Sequence, residues 1–564
     1  LPYFHTNVIA SLQEEMKEAV IMIASSSRPF ACVSVFILLG TVGVVIAEVP
    51  EKLDQMHLND RVREDPHQAF IEAFDAGDEL TEAVFTVERG VGAKVSQDGR
   101  LFTRMPRADL QAFGEWTNHL PKREAGPVAQ SCISCHSAPY ANGAGTNPLN
   151  AIVDPLHTGD PARYLHRNTP HLFALGAVQR IAEEMTAELQ AVEATLEKEV
   201  CALNGSASRP LTAKSVDFGM LSASPRLDAQ TGVCVAEYDR SSVEGVDEDL
   251  VVRMFGWKGS HATLRAFTRH AAHNELGMQA EELVGDHDGD HDGVTSELSV
   301  GDLTALTVYM AALERPVSRL ELHQRGVMQL EPEEKDRIEQ GETKFADAKC
   351  AGCHVPVMNV STPIFSEPGL QAGFTEEIFP SGQEAAEAGL SANTAVWFDL
   401  TEDSPNNHVV LANGEILNFG AFEKAGDGSA IVAWYSDFKR HDMGEKLSDP
   451  VDVHGFGASV WPTASLAGVG STGPWLHDGN ATTLEEAILA HGGEAEESRL
   501  AYEALSETDR GALIAFLENL ILIDLDPEDE EEEHSAVEGT PGFVRKAELD
   551  AKVVPLAKPV SKLR

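Results

Sequence analysis

The chain has 564 residues, 43% of them hydrophobic, so an ordinary buried core and more than one domain are expected. Its formal net charge of −47 at pH 7 argues against a nucleic-acid or anionic-membrane binder. The same charge would steer a basic partner protein, and it equally suits a saline habitat.

Residues 1–47 read as a signal peptide region. The apolar run from Phe30 to Ala47 follows Arg28, contains Cys32 and ends in Val45-Ile46-Ala47, a small-residue cleavage pattern. Cleavage after Ala47 is the expectation. The alternative is an N-terminal membrane anchor, for which the run is just long enough. Met16 and Met22 are alternative starts downstream of Leu1.

Residues 48 to about 130 are helically patterned and carry no obvious catalytic motif. Cys132-Ile133-Ser134-Cys135-His136 then gives C-x-x-C-H, and Cys350-Ala351-Gly352-Cys353-His354 gives it again. Two thiols at this spacing form thioethers to a porphyrin, and the adjacent histidine becomes the proximal iron ligand. The second cysteine pair of a zinc knuckle is missing. The expected cofactors are two covalently bound haem c groups on Cys132, Cys135, Cys350 and Cys353, with His136 and His354 on the irons. Cys201 and Cys234 are left over. In an oxidising compartment they are expected to pair, the alternative being two independent buried thiols. Haem attachment and a disulfide both point to export, most simply to a bacterial periplasm.

A Gly- and Asn-containing loop (Asn142, Gly143, Gly145, Asn147) follows the first motif. Ala174 to Lys198 has the composition of a long helix ending before Cys201. Asp288, Asp290 and Asp292 fall at positions 1, 3 and 5 of an EF-hand-like loop, with Gly293 at position 6 and the Val294 carbonyl at position 7. Ser299 replaces the bidentate glutamate of position 12, with Glu297 or Asp302 as substitutes. A calcium ion is the expected occupant, and an acidic turn is the alternative. Leu303, Leu306, Tyr309 and Leu313 mark an amphipathic helix, with Ser299 and Asp302 at capping-box spacing and Pro316 closing it. A charged helix from about Pro332 to Ala346 leads into the second motif. Leu513, Phe516, Leu517 and Leu520 share a helical face, preceded by Ser506 and Asp509 at the same spacing. Each half thus reads as haem motif, long middle and closing helix. The expected fold is mainly α, with two cytochrome c-like haem domains bearing long insertions. They are placed at 48–318 and 319–526. Residues 527–564, with an acidic run from Glu528 to Glu533, read as a disordered tail.

Seven segments carry a family resemblance: GPVAQSCISCHSAP (126–139), RNTPHLFALG (167–176), FGWKGSHATLRAF (255–267), DGDHDGVTSELSVGD (288–302), CAGCH (350–354), HDMG (441–444) and LHDGNATTLEEAILAHGGEA (476–495). Together they resemble the di-haem oxidoreductase (putative peroxidase) family, related to bacterial di-haem cytochrome c peroxidases. The resemblance implies electron transfer from a small donor protein, a cytochrome or cupredoxin, through the C-terminal haem to the N-terminal haem. Hydrogen peroxide or a related small oxidant would be reduced there. A non-catalytic di-haem electron carrier and an oxygenase or oxidase on the same scaffold are the rival readings. The sequence is silent on oligomeric state.

The distal ligands decide between these. A methionine opposite histidine is an established option for an electron-transfer haem. Met443, between the second motif and its closing helix, is expected in that place, with Tyr435, His441 and His477 as fallbacks. For the N-terminal haem the resemblance points to a removable histidine between the motif and RNTP, giving His157 and His166 equally; His171 lies just past the interval, and a five-coordinate iron is the other possibility. Peroxide cleavage needs a proton carrier. Glu183 and Glu184 are near, yet paired glutamates early in a helix usually form a solvated face. The glutamate motif of the peroxidases is not recognisable; Trp257, Lys258, His261 and Arg265 occupy its region.

Overall fold

The structure is a computed structural model describing residues 50–523, apart from 97–98, 103–105, 107–117, 139–144, 404–407 and 411–415. The stretch expected to be a signal peptide and the acidic tail lie outside the described residues. Among those described, no helix is long and apolar enough to cross a membrane.

The expectation of a mainly α fold is corrected. Helix accounts for 37% and strand for 18%, a mixed α/β composition spread over several small sheets. Most strands lie in the stretches between each motif and its closing helix. Most are two to five residues long, too short for a period-two pattern to stand out. The long ones form a three-stranded antiparallel meander of Ala207–Ala213, Val216–Leu227 and Cys234–Val243. In it Leu211, Ala213, Phe218, Leu221 and Ala223 are buried.

Four helices frame the two motifs. Helix α1 (Pro66–Glu82) packs on α4 (Val300–Ala312), and α5 (Pro332–Asp347) packs on α7 (Glu507–Asn519). The two crossings are built alike. A Cβ on Gly77 would lie 2.3 Å from the Ala305 carbonyl and 2.5 Å from Tyr309 Cβ. One on Gly341 would lie 2.0 Å from the Ala512 carbonyl and 2.7 Å from Phe516 Cβ. Each glycine lets its helix backbone approach one turn of its partner, a contact any larger residue would force apart. The Ser299–Asp302 capping box is complete, and Ser506 accepts from the Asp509 N–H. Phe345, Leu513, Phe516 and Leu517 form the apolar seam of the second pair, each burial contributing roughly 1.5–3 kcal/mol.

Helix α2 (Leu175–Leu203) runs further than its sequence suggests. It continues through Cys201, which forms a disulfide with Cys234 at the start of the meander's last strand. The bond closes a loop of 33 residues between helix and sheet. Replacing both cysteines by alanine is expected to cost about 2–5 kcal/mol of stability, read as a lowered denaturant midpoint. An unchanged midpoint would contradict that role.

The two halves share one core. Its largest apolar cluster includes Leu58, Phe173, Leu306, Phe365, Trp434 and Leu522. The strand after α4, Val317–Ser318, pairs with Leu520–Ile521 after α7, tying the end of the first half to the end of the described residues.

Candidate functional site

Each motif begins as a single 3-10 turn, Cys132–Ser134 and Cys350–Gly352, following a helix or loop of its own half. Both open on one cavity of about 1310 Å³, lined by all four motif cysteines, His136 and His354. That exceeds the roughly 300–1,000 Å³ of a site for one small molecule.

The side chains suit haem c. None of the four motif cysteines is in a disulfide. Burial pushes Cys132 up to about 12 and Cys135 and Cys350 up to about 11. Such surroundings keep these thiols protonated and suit a neutral thioether. His136 Nδ1 donates to the Gly145 carbonyl at 2.9 Å, and His354 Nδ1 donates to the Tyr435 carbonyl at 3.2 Å. Because a carbonyl only accepts, the proton sits on Nδ1 and the Nε2 lone pair is left for a metal. Burial lowers His136 and takes His354 down to about 4, keeping both imidazoles neutral.

His491, at the end of helix α6 (Leu484–Ala490), was not singled out from the sequence. Its ring centroid lies 6.4 Å from that of His354. Two imidazoles on opposite sides of one metal need nearly this separation, given metal–nitrogen bonds of about 2 Å and the half-width of each ring. His491 Nδ1 donates to the Ala487 carbonyl at 2.8 Å, again leaving Nε2. The HDMG segment braces the turn that follows. The Asp442 N–H donates to Glu494 at 2.9 Å, and His441 Nδ1 meets the same carboxylate at 2.8 Å.

Met443 also lines the cavity, its N–H donating to the Ser459 carbonyl at 2.9 Å. His441 spends both nitrogens on carboxylates, with Asp437 at 2.8 Å on Nε2. Burial opposes its charge, but hydrogen bonds to Asp437, Cys353 and Glu494 outweigh it and lift His441 to about 11. His477 stacks on Trp461 at 4.0 Å. His157 and His166 do not line the cavity: His157 Nε2 donates to the Arg123 carbonyl at 2.9 Å, and His166 is exposed on a strand. His171 is in the cavity wall, but its Nδ1 accepts from the Phe173 N–H at 3.2 Å and its Nε2 donates to the Ala467 carbonyl at 3.1 Å. Glu183 is buried with Gln179 and Arg180, and Glu184 pairs with Lys214 at 2.6 Å; neither reaches the cavity.

The halves brace each other around this cavity. In the turn at 475–481, the His477 carbonyl accepts from the Asn168 N–H at 2.7 Å. In the turn at 255–261, Lys258 Nζ donates to Ala458 and Val460 carbonyls at 2.7 and 2.9 Å. Trp257 Nε1 donates to the Asn168 carbonyl at 2.8 Å, and its ring meets His477 edge-on.

In the acidic loop, ligand atoms of Asp288, Asp290 and Asp292 lie within 4.8 Å of one another. Asp288 accepts from the N–H groups of Asp292 and Gly293, and Asp292 from that of Val294. Buried Asp290 pairs with Arg123 at 2.9 Å. Glu297 turns elsewhere, accepting from the Gln279 N–H at 2.8 Å.

Fold and site together define a chain with two C-x-x-C-H motifs facing a common apolar cavity. Residues 417–520 match the family model described as di-haem oxidoreductase, putative peroxidase. The matched segment contains HDMG, the 475–481 turn, His491 and the whole of the closing helix. No curated protein matches the chain. Among solved structures it is similar to a MauG-like protein associated with microbial copper homeostasis, at 15% identity and a TM-score of 0.23, over 50% of this chain and 74% of that one.

Proposed function

We propose that the protein is an exported di-haem c-type oxidoreductase that takes electrons from a small donor protein, a cytochrome or cupredoxin, and reduces hydrogen peroxide or a related oxidant. The observation that carries this reading is the single cavity bearing both attachment motifs, each with its histidine pre-set to present Nε2. The match at 417–520 supports the oxidoreductase class. When bound, haem supplies one-electron redox chemistry and an iron able to bind a small oxidant.

The chain's own residues divide the labour. His354 and His491 flank one site, which suits a six-coordinate electron-transfer centre at the C-terminal motif; His491 is proposed as the sixth ligand in place of Met443. The N-terminal motif is the proposed site of oxidant reduction; His171, His261 and His270 also line the cavity wall. Aromatic contacts support transfer between them. The His171 ring meets Trp434 at 5.9 Å, beside the Tyr435 carbonyl that anchors His354. The disulfide supports export to a periplasm. Calcium bound by Asp288, Asp290, Asp292 and the Val294 carbonyl is part of the proposal, through Arg123 a brace for the first half.

The reading is tested by the mass and haemochrome spectrum of the purified exported protein, with peroxide-dependent oxidation of a reduced cytochrome as the activity. Two covalently attached haems per chain and peroxide turnover are expected. Fewer than two haems, or two haems with no turnover, would contradict it.

A further inference from the structure

Where the common cavity reaches the surface, three histidines and a glutamate from both halves of the chain come together. Glu124 precedes the first motif. His261 ends the turn at 255–261, and His270 lies on helix α3 (Leu264–Ala271). His454 belongs to a loop of the second half. That loop is pinned by Asp452, which accepts from the N–H groups of Gly455 and Gly457 at 2.9 Å. All four residues line the cavity. The side chains of Glu124 and His270 are 44% and 37% exposed, and His454 is exposed, so the group stands at the cavity mouth.

The imidazole spacing fits a shared ion. The ring centroids of His261 and His270 lie 5.0 Å apart. Metal–nitrogen bonds of about 2 Å put each ring centre about 3 Å from a bound ion, so two rings at the tetrahedral angle of about 109° stand about 5 Å apart. The 6.4 Å between His354 and His491 is instead the spacing of ligands on opposite sides. Ser260 Oγ engages His261 Nδ1 at 2.9 Å, so Nε2 is the nitrogen left for a metal. The Asn274 amide lies 3.4 and 3.3 Å from the two ring nitrogens of His270, an even contact that commits neither. His270 Nε2 is also 4.0 Å from the Glu124 carboxylate.

The local charges suit a cation bound through lone pairs. Burial, helped by neighbouring His270 and Arg269, takes His261 down to about 3, and burial also lowers His270 and His454. Neutral imidazole is the form that ligates. Glu124 supplies a negative charge felt by both His270 and His454. The nearby guanidinium groups are already paired, Arg253 with Asp247 and Asp249 and Arg269 with Glu282 and Glu376.

We propose that Glu124, His261, His270 and His454 form a site for one divalent ion, zinc or copper, that bridges the two halves at the cavity mouth. Three imidazoles and a carboxylate match the preference of these ions, whereas calcium and magnesium take oxygen ligands. The exposed Glu124 and His454 side chains turn inward to complete the shell around the His261–His270 pair. His454 comes from the second half and the other three from the first, so the ion fastens one to the other. None of the four is a proposed iron or calcium ligand, and the site does not depend on what the haems reduce.

The test uses the holo-protein, stripped of loose metal with a chelator and titrated with Zn²⁺ alone. Equilibrium dialysis is expected to find one tightly bound zinc per chain that excess Ca²⁺ does not displace. His270→Gln and His454→Gln are each expected to weaken it at least about 10-fold, the loss seen when even a ligand's support is removed, with haem content and visible spectrum unchanged. His454 is exposed, so its variant reports on binding without disturbing the core. Cu²⁺ is expected to give a paramagnetic resonance signal with nitrogen splitting that prior loading with Zn²⁺ removes. Zinc is also expected to raise the denaturant midpoint of the wild type and not that of His454→Gln. No stoichiometric zinc, or zinc held equally well by both variants, would overturn the proposal. Zinc lost in His270→Gln but kept in His454→Gln would overturn the bridge between the halves.

Discussion

Replacing His491 by alanine is expected to abolish the low-spin ferric signal of the C-terminal haem, whereas Met443→Leu is expected to leave it intact. The geometry separates the two residues. His491 stands with its ring 6.4 Å from that of His354, and its Nδ1 is tied to Ala487 on its own helix, so it presents Nε2 in a fixed direction. Met443 lies in the strand-following segment whose neighbours His441 and Asp442 hold Glu494, three residues past His491. HDMG then supports the ligand rather than supplying it. Donor-to-peroxide turnover in His491→Ala is expected to fall at least about 10-fold, the smaller end of the loss seen when even a metal ligand's support is removed. A low-spin signal that survives in His491→Ala and disappears in Met443→Leu would return the ligand to Met443.

Arg265→Ala is expected to destabilise the protein by about 3–5 kcal/mol, because it strips the cation from a buried ionic cluster. Arg265 meets Glu282 and Glu367, with side chains 4%, 0% and 3% exposed respectively. It also donates to Thr304 Oγ1 and the Val300 carbonyl, both at 2.9 Å. Burial already lifts Glu367 to about 7 despite Arg265, so losing the guanidinium leaves an acid with no good ionised state. Arg269→Ala should cost less. Its partner Glu282 keeps Arg265, and its other partner Glu376 is 30% exposed and can turn to water. The cluster joins α3 and α4 to the Glu367 and Glu376 segments of the second half, so it also fixes the helix that carries His270. Denaturant unfolding measures both variants; a loss below about 1 kcal/mol for Arg265→Ala would show that the cluster relaxes on truncation.

What the sequence made legible was local. The C-x-x-C-H spacing, the Ser299–Asp302 box and the closing helix after Ser506 each rest on residues within a few positions of one another, where chemistry and geometry leave few alternatives. The Cys201–Cys234 pair followed from counting thiols. The sheets did not show, because pairs such as Arg440–Asp442 with Val460–Pro462 are three residues long and defined by a distant partner. The mutual bracing of the 255–261 and 475–481 turns is likewise a property of two halves in contact. His491 could have been found. FGWKGSHATL and WLHDGNATTL share their Gly, Thr and Leu spacing, and continuing that register reaches Ala271 in one copy and His491 in the other. Met443 drew attention through residue type and position along the chain, and His157 and His166 through family resemblance. None of these signals reports which side chains face a common cavity.

The most direct test is low-temperature electron paramagnetic resonance on the fully oxidised holo-protein before and after addition of peroxide. The account predicts one low-spin centre, with the bis-histidine signature of His354 and His491, that ignores peroxide. It predicts a second, high-spin centre at the N-terminal motif that peroxide abolishes. Two low-spin centres unchanged by peroxide would contradict the account and leave a di-haem electron carrier.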